Sequence, residues 1–414
     1  MKVRRTILKI RLNKTVAALA TGALLLVAVP VTGLATAGAA AKPVYVIGYE
    51  GPLSGSYSQY GLNEIGGTRL AINNANASGK LPFTLKIASF DDQGSGTLSP
   101  AQAQAAIATK SLVAVVGPAF SGATKNAMPY YSAAGVPVVS PSATAAGLTT
   151  GLQNNDFMRV LFGDSVQGAA DANFLIKTKG AKSLAVIDDG SFYGAGVAQI
   201  VALTAKAAGV TPTTSSLPQS STCSGTASTT QYAAAATALV AAKPDALFYG
   251  GYYCDFGLLL GALYSAGFKG MIMSGDGSAE TSLISGTTPK EATNNVYLSA
   301  ANAGTNANLS GALGAQFKKL TGIDPATALY SSQAYDATMM VIAALQAALV
   351  KVKGASLDVL RTQIKTQLHT MTYKGVTGII KFNTYGDLTR AATGSIGIYQ
   401  ITNATYPTKT IATN

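Results

Sequence analysis

"SLVAVVGPAFSGATKNAMPYYSAAGVPVVS", residues 111–140, reads as one complete structural unit. The uninterrupted apolar run 111–117 suits a strand buried on both faces. Residues 123–135 read as helix, with Pro129 as a kink or a start, and 136–140 as a second strand. Strand, helix, strand within about thirty residues is a crossover between parallel neighbours. The joint after the first strand, "GPAFSGAT" at 117–124, combines glycine with small hydroxyls.

The same alternation runs outward in both directions. Upstream come a strand at 44–50, a helix at 60–79, a strand at 83–90 and a helix at 101–110 behind a Ser99–Pro100 cap. Downstream come strands at 183–189, 245–250, 270–275 and 295–300, with helices at 195–209 and 256–266 between them. A long helix follows at 332–352, with Tyr335, Met339, Ile342 and Leu349 near one face, then strands at 377–382 and 395–401. Strands separated by helices, without strict polar alternation, predict an α/β chain. The count exceeds one comfortable sheet, so two doubly wound parallel sheets are expected. Ligands of such sheets bind beyond the carboxyl ends of the strands.

Composition narrows the class. The chain has 414 residues and a formal net charge of +12, but six cations lie in the first fourteen residues. An uncharged stretch at 15–34 and the small residues of "ATAGAAAKP", 35–43, follow. That order predicts a secretory signal over 1–41; a retained membrane anchor is the alternative. Export makes a single disulfide between Cys223 and Cys254 the simplest use of the only two cysteines, against two unpaired thiols. The loop so closed would contribute roughly 3 kcal/mol. One histidine, His369, leaves no His-dependent triad and no common metal site. Nucleotide-binding and hydrolase fingerprints are missing, so no cofactor and no metal are expected. No basic stripe interleaved with aromatics points to nucleic acid. Asp188–Asp189 reads most simply as a strand-end turn, although a carboxylate pair acting on sugars would look the same.

The strand ends carry the functional signal. "GPLSGSYSQYG" (51–61), "GPAFSGAT", "PSATAAGLT" (141–149), "DDGSFYGAG" (188–196), "GGYYCD" (250–255) and "GDGS" (275–278) each offer glycine, hydroxyls or both. Glycine and helix-opening N–H groups suit an anion. Tyrosine offers a flat wall with one polar tip, and Asp276 stands alone as an acid. Together they describe a site for a small zwitterion. Each loop taken singly is ordinary turn chemistry. In "LFYGGYYCDFG", 247–257, Tyr253 reads as a neighbour facing away and Asp255 as a helix cap or a second acid near the cleft mouth.

These segments, together with "ASFDDQ" at 88–93, stand in an order and at separations that resemble the extracellular solute-binding proteins of the leucine/isoleucine/valine type, which serve ABC importers. The resemblance covers nearly all of the chain after the signal. It implies two lobes joined by three crossings with ligand between them: 42–161 with 300–388, and 162–299 with 389–414. It implies that Ser121 and Thr144 hold a ligand carboxylate. The Ser142 carbonyl and the Thr144 hydroxyl would meet an ammonium, with Asp276 as counter-charge. Tyr60, Tyr193, Tyr252, Ala119, Phe120 and Ala143 would pack around the rest. The ligand is then an amino acid, branched-chain or other, and the partner a membrane permease; a monomer is expected. A ligand-sensing module of the same fold is the alternative. Three positions depart from the pattern. Many relatives have glutamate in place of Asp276, and a cysteine pair where this chain has Gln93 and Phe120.

Overall fold

The first sheet is built from the unit quoted above and its neighbours. The computed structural model describes residues 41–150, 156–219, 229–301, 309–389, 396–407 and 410–413. Strands β1 (Val44–Gly51), β2 (Thr84–Asp91), β3 (Leu112–Val116), β4 (Val138–Ser140) and β5 (Phe157–Arg159) lie in the order β2-β1-β3-β4-β5. All its pairings are parallel, with β1 and β2 in register from Val44↔Thr84 to Gly51↔Asp91. Helices α1 (Ser58–Ala77), α2 (Ser99–Ile107) and α3 (Ser121–Ala133) make the crossovers, and α3 runs through Pro129. Every residue of β3 is buried, because its side chains feed two cores. Leu112 and Val115 join Tyr131, Val138 and Phe157 on one face. Val113 and Val116 join Ile47, Ile65 and Met340 on the other. That two-sided burial is why the sequence shows a run rather than an alternation.

The second half repeats the plan. After α4 (Asp164–Asn173) come β6 (Leu184–Asp188), α5 (Phe192–Ala207), β7 (Thr213–Ser216) and α6 (Thr229–Ala242). Then follow β8 (Ala246–Gly250), α7 (Tyr253–Ala266), β9 (Met271–Ser274), α8 (Thr281–Gly286) and β10 (Val296–Ala301). The chain next returns to the first sheet with α9 (Gly311–Thr321), α10 (Ser331–Lys351) and α11 (Leu357–Thr370). A hairpin, β11 (Tyr373–Gly375) with β12 (Gly378–Ile380), precedes the last crossing to β13 (Ile396–Gln400) and β14 (Ala412–Thr413). The second sheet has the order β14-β13-β10-β9-β8-β6-β7. The fold is thus α/β with two wound sheets and a cleft between them.

Three expectations need correction. The second sheet is mixed, since β13 pairs antiparallel with β10 and β14 antiparallel with β13. A strand that arrives from the other half has no crossover helix to force it parallel. The apolar segment 377–382 contributes to the small hairpin, not to a main sheet. Ser99 caps nothing: Leu98 holds the N-cap position of α2, and the Ser99 hydroxyl donates to the buried Glu50 carboxylate and to the Ala123 carbonyl.

Helix α10 is long and apolar enough to cross a membrane, yet most of it is covered by protein. Ala337, Met340, Val341, Ala344, Leu345 and Ala348 are fully buried in the first half's core. Of the face expected from spacing, Ile342 is buried, whereas Tyr335, Met339 and Leu349 are only partly covered.

Candidate functional site

Every expected site residue lies past the carboxyl end of a strand. Tyr60 sits in the first turn of α1 after β1, Phe120 and Ser121 open α3 after β3, and Ser142, Ala143 and Thr144 follow β4. From the second half, Tyr193 lies in the first turn of α5, Tyr252 is the N-cap of α7, and Asp276 follows β9. Nine of the ten expected residues, Ala119 included, line one cavity, which leaves about 20 Å³ of free room. That is room for about one water molecule. The exception is Ala143, which is buried behind the wall. Gly277 and Tyr330 line the cavity as well, without having been expected.

Asp276 is the electrostatic centre. The Tyr193 hydroxyl donates to Oδ1 at 2.6 Å, and the Tyr330 hydroxyl donates to Oδ2. The Tyr60 hydroxyl donates to the Asp276 carbonyl at 2.8 Å. Tyr60 and Tyr330 come from elements packed on the first sheet, so Asp276 is gripped from both halves. Glycines flanking it permit this: a Cβ on Gly277 would stand 2.5 Å from the Tyr193 ring. Burial raises the Asp276 pKa, while the two phenols and the Gln167 amide draw it down. Tyr330 takes a left-handed backbone, φ 63°, at the N-cap of α10. No motif in "TALYSSQ", 327–333, marks that residue as a cleft residue.

A second acid stands behind the first. Asp164, at the start of α4, is fully buried beside the Thr144 hydroxyl. Burial pushes it up to about 8, and the charge of Asp276 adds to this; Thr144 and Arg159 pull it back. Its signal in the sequence, an acid after "LFG", is indistinguishable from a helix start.

The hydroxyl side of the cavity is braced. Arg159 donates to the Ala145 carbonyl at 2.9 Å and to the Thr149 hydroxyl at 2.9 Å, and pairs with Asp387 at 2.7 Å. The Asp164 N–H donates to the Thr144 carbonyl at 2.9 Å. The Ser121 hydroxyl accepts from the Ala145 N–H at 3.2 Å, and the Ser142 hydroxyl donates to the Ala119 carbonyl at 2.7 Å. The N-cap residue of α3, Phe120, makes no side-chain cap bond to the first-turn N–H groups of the helix.

Further contacts join the halves. Tyr57 donates to Asp255 at 3.1 Å, Asn63 donates to Glu280 at 2.7 Å, and Tyr253 donates to the Ser56 carbonyl. Tyr253 therefore faces the cleft, contrary to expectation. Asp255 is not a cap but a fully buried acceptor, taking a second bond from Tyr232 at 2.6 Å. Asp188 and Asp189 accept from the N–H groups of Gly190 and Ser191, the turn geometry expected of them. Cys254 is buried, and no cysteine among the described residues is free; its expected partner Cys223 lies outside them. Most of the expected signal segment does too.

Two wound α/β halves closing on an acid and a ring of hydroxyls define a ligand-binding protein of the interlobe-cleft class. The chain belongs to the periplasmic binding protein family, whose profile matches residues 44–405. It is 29% identical to the leucine-, isoleucine-, valine-, threonine- and alanine-binding protein of Pseudomonas aeruginosa, over 63% of this chain and 68% of that one. It is 27% identical to a Leu/Ile/Val-binding protein of Rhizobium johnstonii, over 57% of this chain and only 62% of the relative's length. Among solved structures it resembles the branched-chain amino acid transporter substrate-binding protein LivJ of Streptococcus pneumoniae in complex with isoleucine. There the TM-score is 0.73 and the identity 26%, covering 89% of this chain and 98% of that one. The leucine-binding protein LivK of Thermotoga maritima shares the fold at a TM-score of 0.73 and 23% identity, covering 87% of this chain and 96% of that one.

Proposed function

We propose that the chain captures a small zwitterionic amino acid between its halves and delivers it to the membrane permease of an ABC importer. The observation that carries this is Asp276, a buried acid held in the cleft by phenols from both halves, opposite the hydroxyls of Ser121 and Thr144. In this reading Ser121, Thr144 and the α3 N–H groups take the carboxylate. Asp276, the Ser142 carbonyl and the Thr144 hydroxyl take the ammonium. Tyr60, Tyr193, Tyr252, Ala119, Phe120 and Ala143 shape the side-chain end, directly or from behind. The amino-acid specificities in the relatives' names support the ligand class, and the range of the Pseudomonas protein, from leucine to alanine, leaves the side chain open. Residues 42–161 with 300–388 would move against 162–299 with 389–414 as rigid lobes, and ligand favours closure because it bonds to both. One chain supplies both walls, so a monomer suffices. Export by the 1–41 segment and a Cys223–Cys254 disulfide complete the proposal; the absence of a free cysteine among the described residues supports the latter.

Isothermal calorimetry against the twenty amino acids tests it. At least one should bind, and Asp276→Ala should weaken that ligand by about 10- to 100-fold, the worth of a charge-assisted hydrogen bond of roughly 1.5–3 kcal/mol. An equal loss for the desamino analogue would refute the role given to Asp276.

A further inference from the structure

The aromatic end of the cavity has a geometry that ligand class alone does not require. Phe120 and Tyr252 are the N-cap residues of α3 and α7, both in extended backbone, one from each half. Their rings stack face to face with centroids 4.3 Å apart and planes 3° from parallel. Neither ring has room to swing away. Tyr57 packs against both, at 5.4 Å from Phe120 and 5.3 Å from Tyr252. Tyr60 meets Phe120 edge-on at 5.6 Å, and Tyr193 lies 5.2 Å from Tyr252. Behind Phe120 stands Gly94, at φ 72°, where an added Cβ would lie 2.9 Å from two ring carbons. Any side chain at position 94 would therefore run into the Phe120 ring.

We propose that the Phe120–Tyr252 pair, stacked when the halves are closed, is a wall that restricts this site to amino acids with short side chains, of alanine or serine size. The inference rests on the amino-acid reading above and narrows it. Phe120 directly precedes Ser121, so a ligand whose carboxylate is held at Ser121 carries its side chain close to the Phe120 ring. A branched side chain there must part the stack and drive Phe120 toward Gly94. The cavity has only about 20 Å³ of free room, and Tyr60, Tyr193 and Tyr330 line it as well.

The test is calorimetry on the purified chain with alanine, serine, valine, leucine and isoleucine. The unsubstituted protein should bind alanine or serine at least tenfold more tightly than leucine. Phe120→Ala should improve leucine at least tenfold while changing alanine less, and Phe120→Leu, which keeps apolar bulk, should fall between. Leucine binding as tight as alanine in the unsubstituted protein overturns the wall and leaves the amino-acid reading standing. So does a Phe120→Ala protein that binds alanine but gains nothing for leucine. Binding of none of the twenty overturns the amino-acid reading, and the wall with it. The unsubstituted ranking decides the matter even where a variant fails to fold.

Discussion

Asp276 has one phenol on each carboxylate oxygen and no basic side chain bonded to it. A buried carboxylate left so is costly, and its raised pKa records the cost. A ligand ammonium would complete it. Tyr330 is the more informative partner, because its backbone sits in the left-handed region that a large side chain rarely adopts. That strain aims its ring into the cleft instead of along α10. Tyr330→Phe keeps the ring and removes the donor. It should weaken zwitterion binding by roughly tenfold, about 1.4 kcal/mol, as read by calorimetry. Unchanged affinity would show that the phenol only fills space. The acid was legible as a lone carboxylate in "GDGS" at a strand end. Its second phenol was not, since Tyr330 reaches the cleft from 54 residues away.

Helices and strands were easier to place than the bonds at their ends. The apolar runs of β1, β3, β6 and β8 located the sheets because burial on both faces leaves a continuous signal. Short polar β7, every residue of it exposed, left none. Ser99 shows the limit of local chemistry. Beside Pro100 it has the form of a cap, yet its hydroxyl serves a carboxylate on β1. Glu50 is held by Ser99 and Tyr131 alone, and burial raises it to about 7. Ser99→Ala should therefore cost about 1–3 kcal/mol in denaturant unfolding, by leaving a buried acid half-satisfied. Asp276 and its cleft should be untouched, so ligand affinity should hold in the folded fraction.

At the scale of the whole molecule, the interior holds more acid than base. Glu64, Asp164 and Glu280 are each pushed to about 8, and Glu50 to about 7, in every case first by burial. Each binds its proton more tightly in the folded chain than in the unfolded one, where the values are near 4. Folding thus takes up protons between about pH 4 and pH 8, and stability must fall as pH rises through that window. Below it both forms are protonated and the gain is constant. Thermal unfolding should show a higher midpoint at pH 5 than at pH 8; a flat or rising profile would show these acids to be ionised in place. Asp164 and Glu280 also stand at or near the cleft, so a bound cationic group should soften the decline.

The alternation of apolar runs with helical stretches was sufficient to determine the α/β class, the two wound sheets and the strand-end position of the site. These follow from local periodicity and from which backbone groups a covered sheet leaves open. Nine of the ten residues that the family resemblance implied for the site line its cavity, where loops at one sheet edge converge. Only the tertiary structure decided the antiparallel edge of the second sheet, the bond from Tyr330 to Asp276, the burial of Asp164 beside it and the Phe120–Tyr252 stack. Each of these depends on the approach of segments far apart in the chain. Their distance and angle are set by the packing of whole helices and sheets, and no local pattern encodes that geometry.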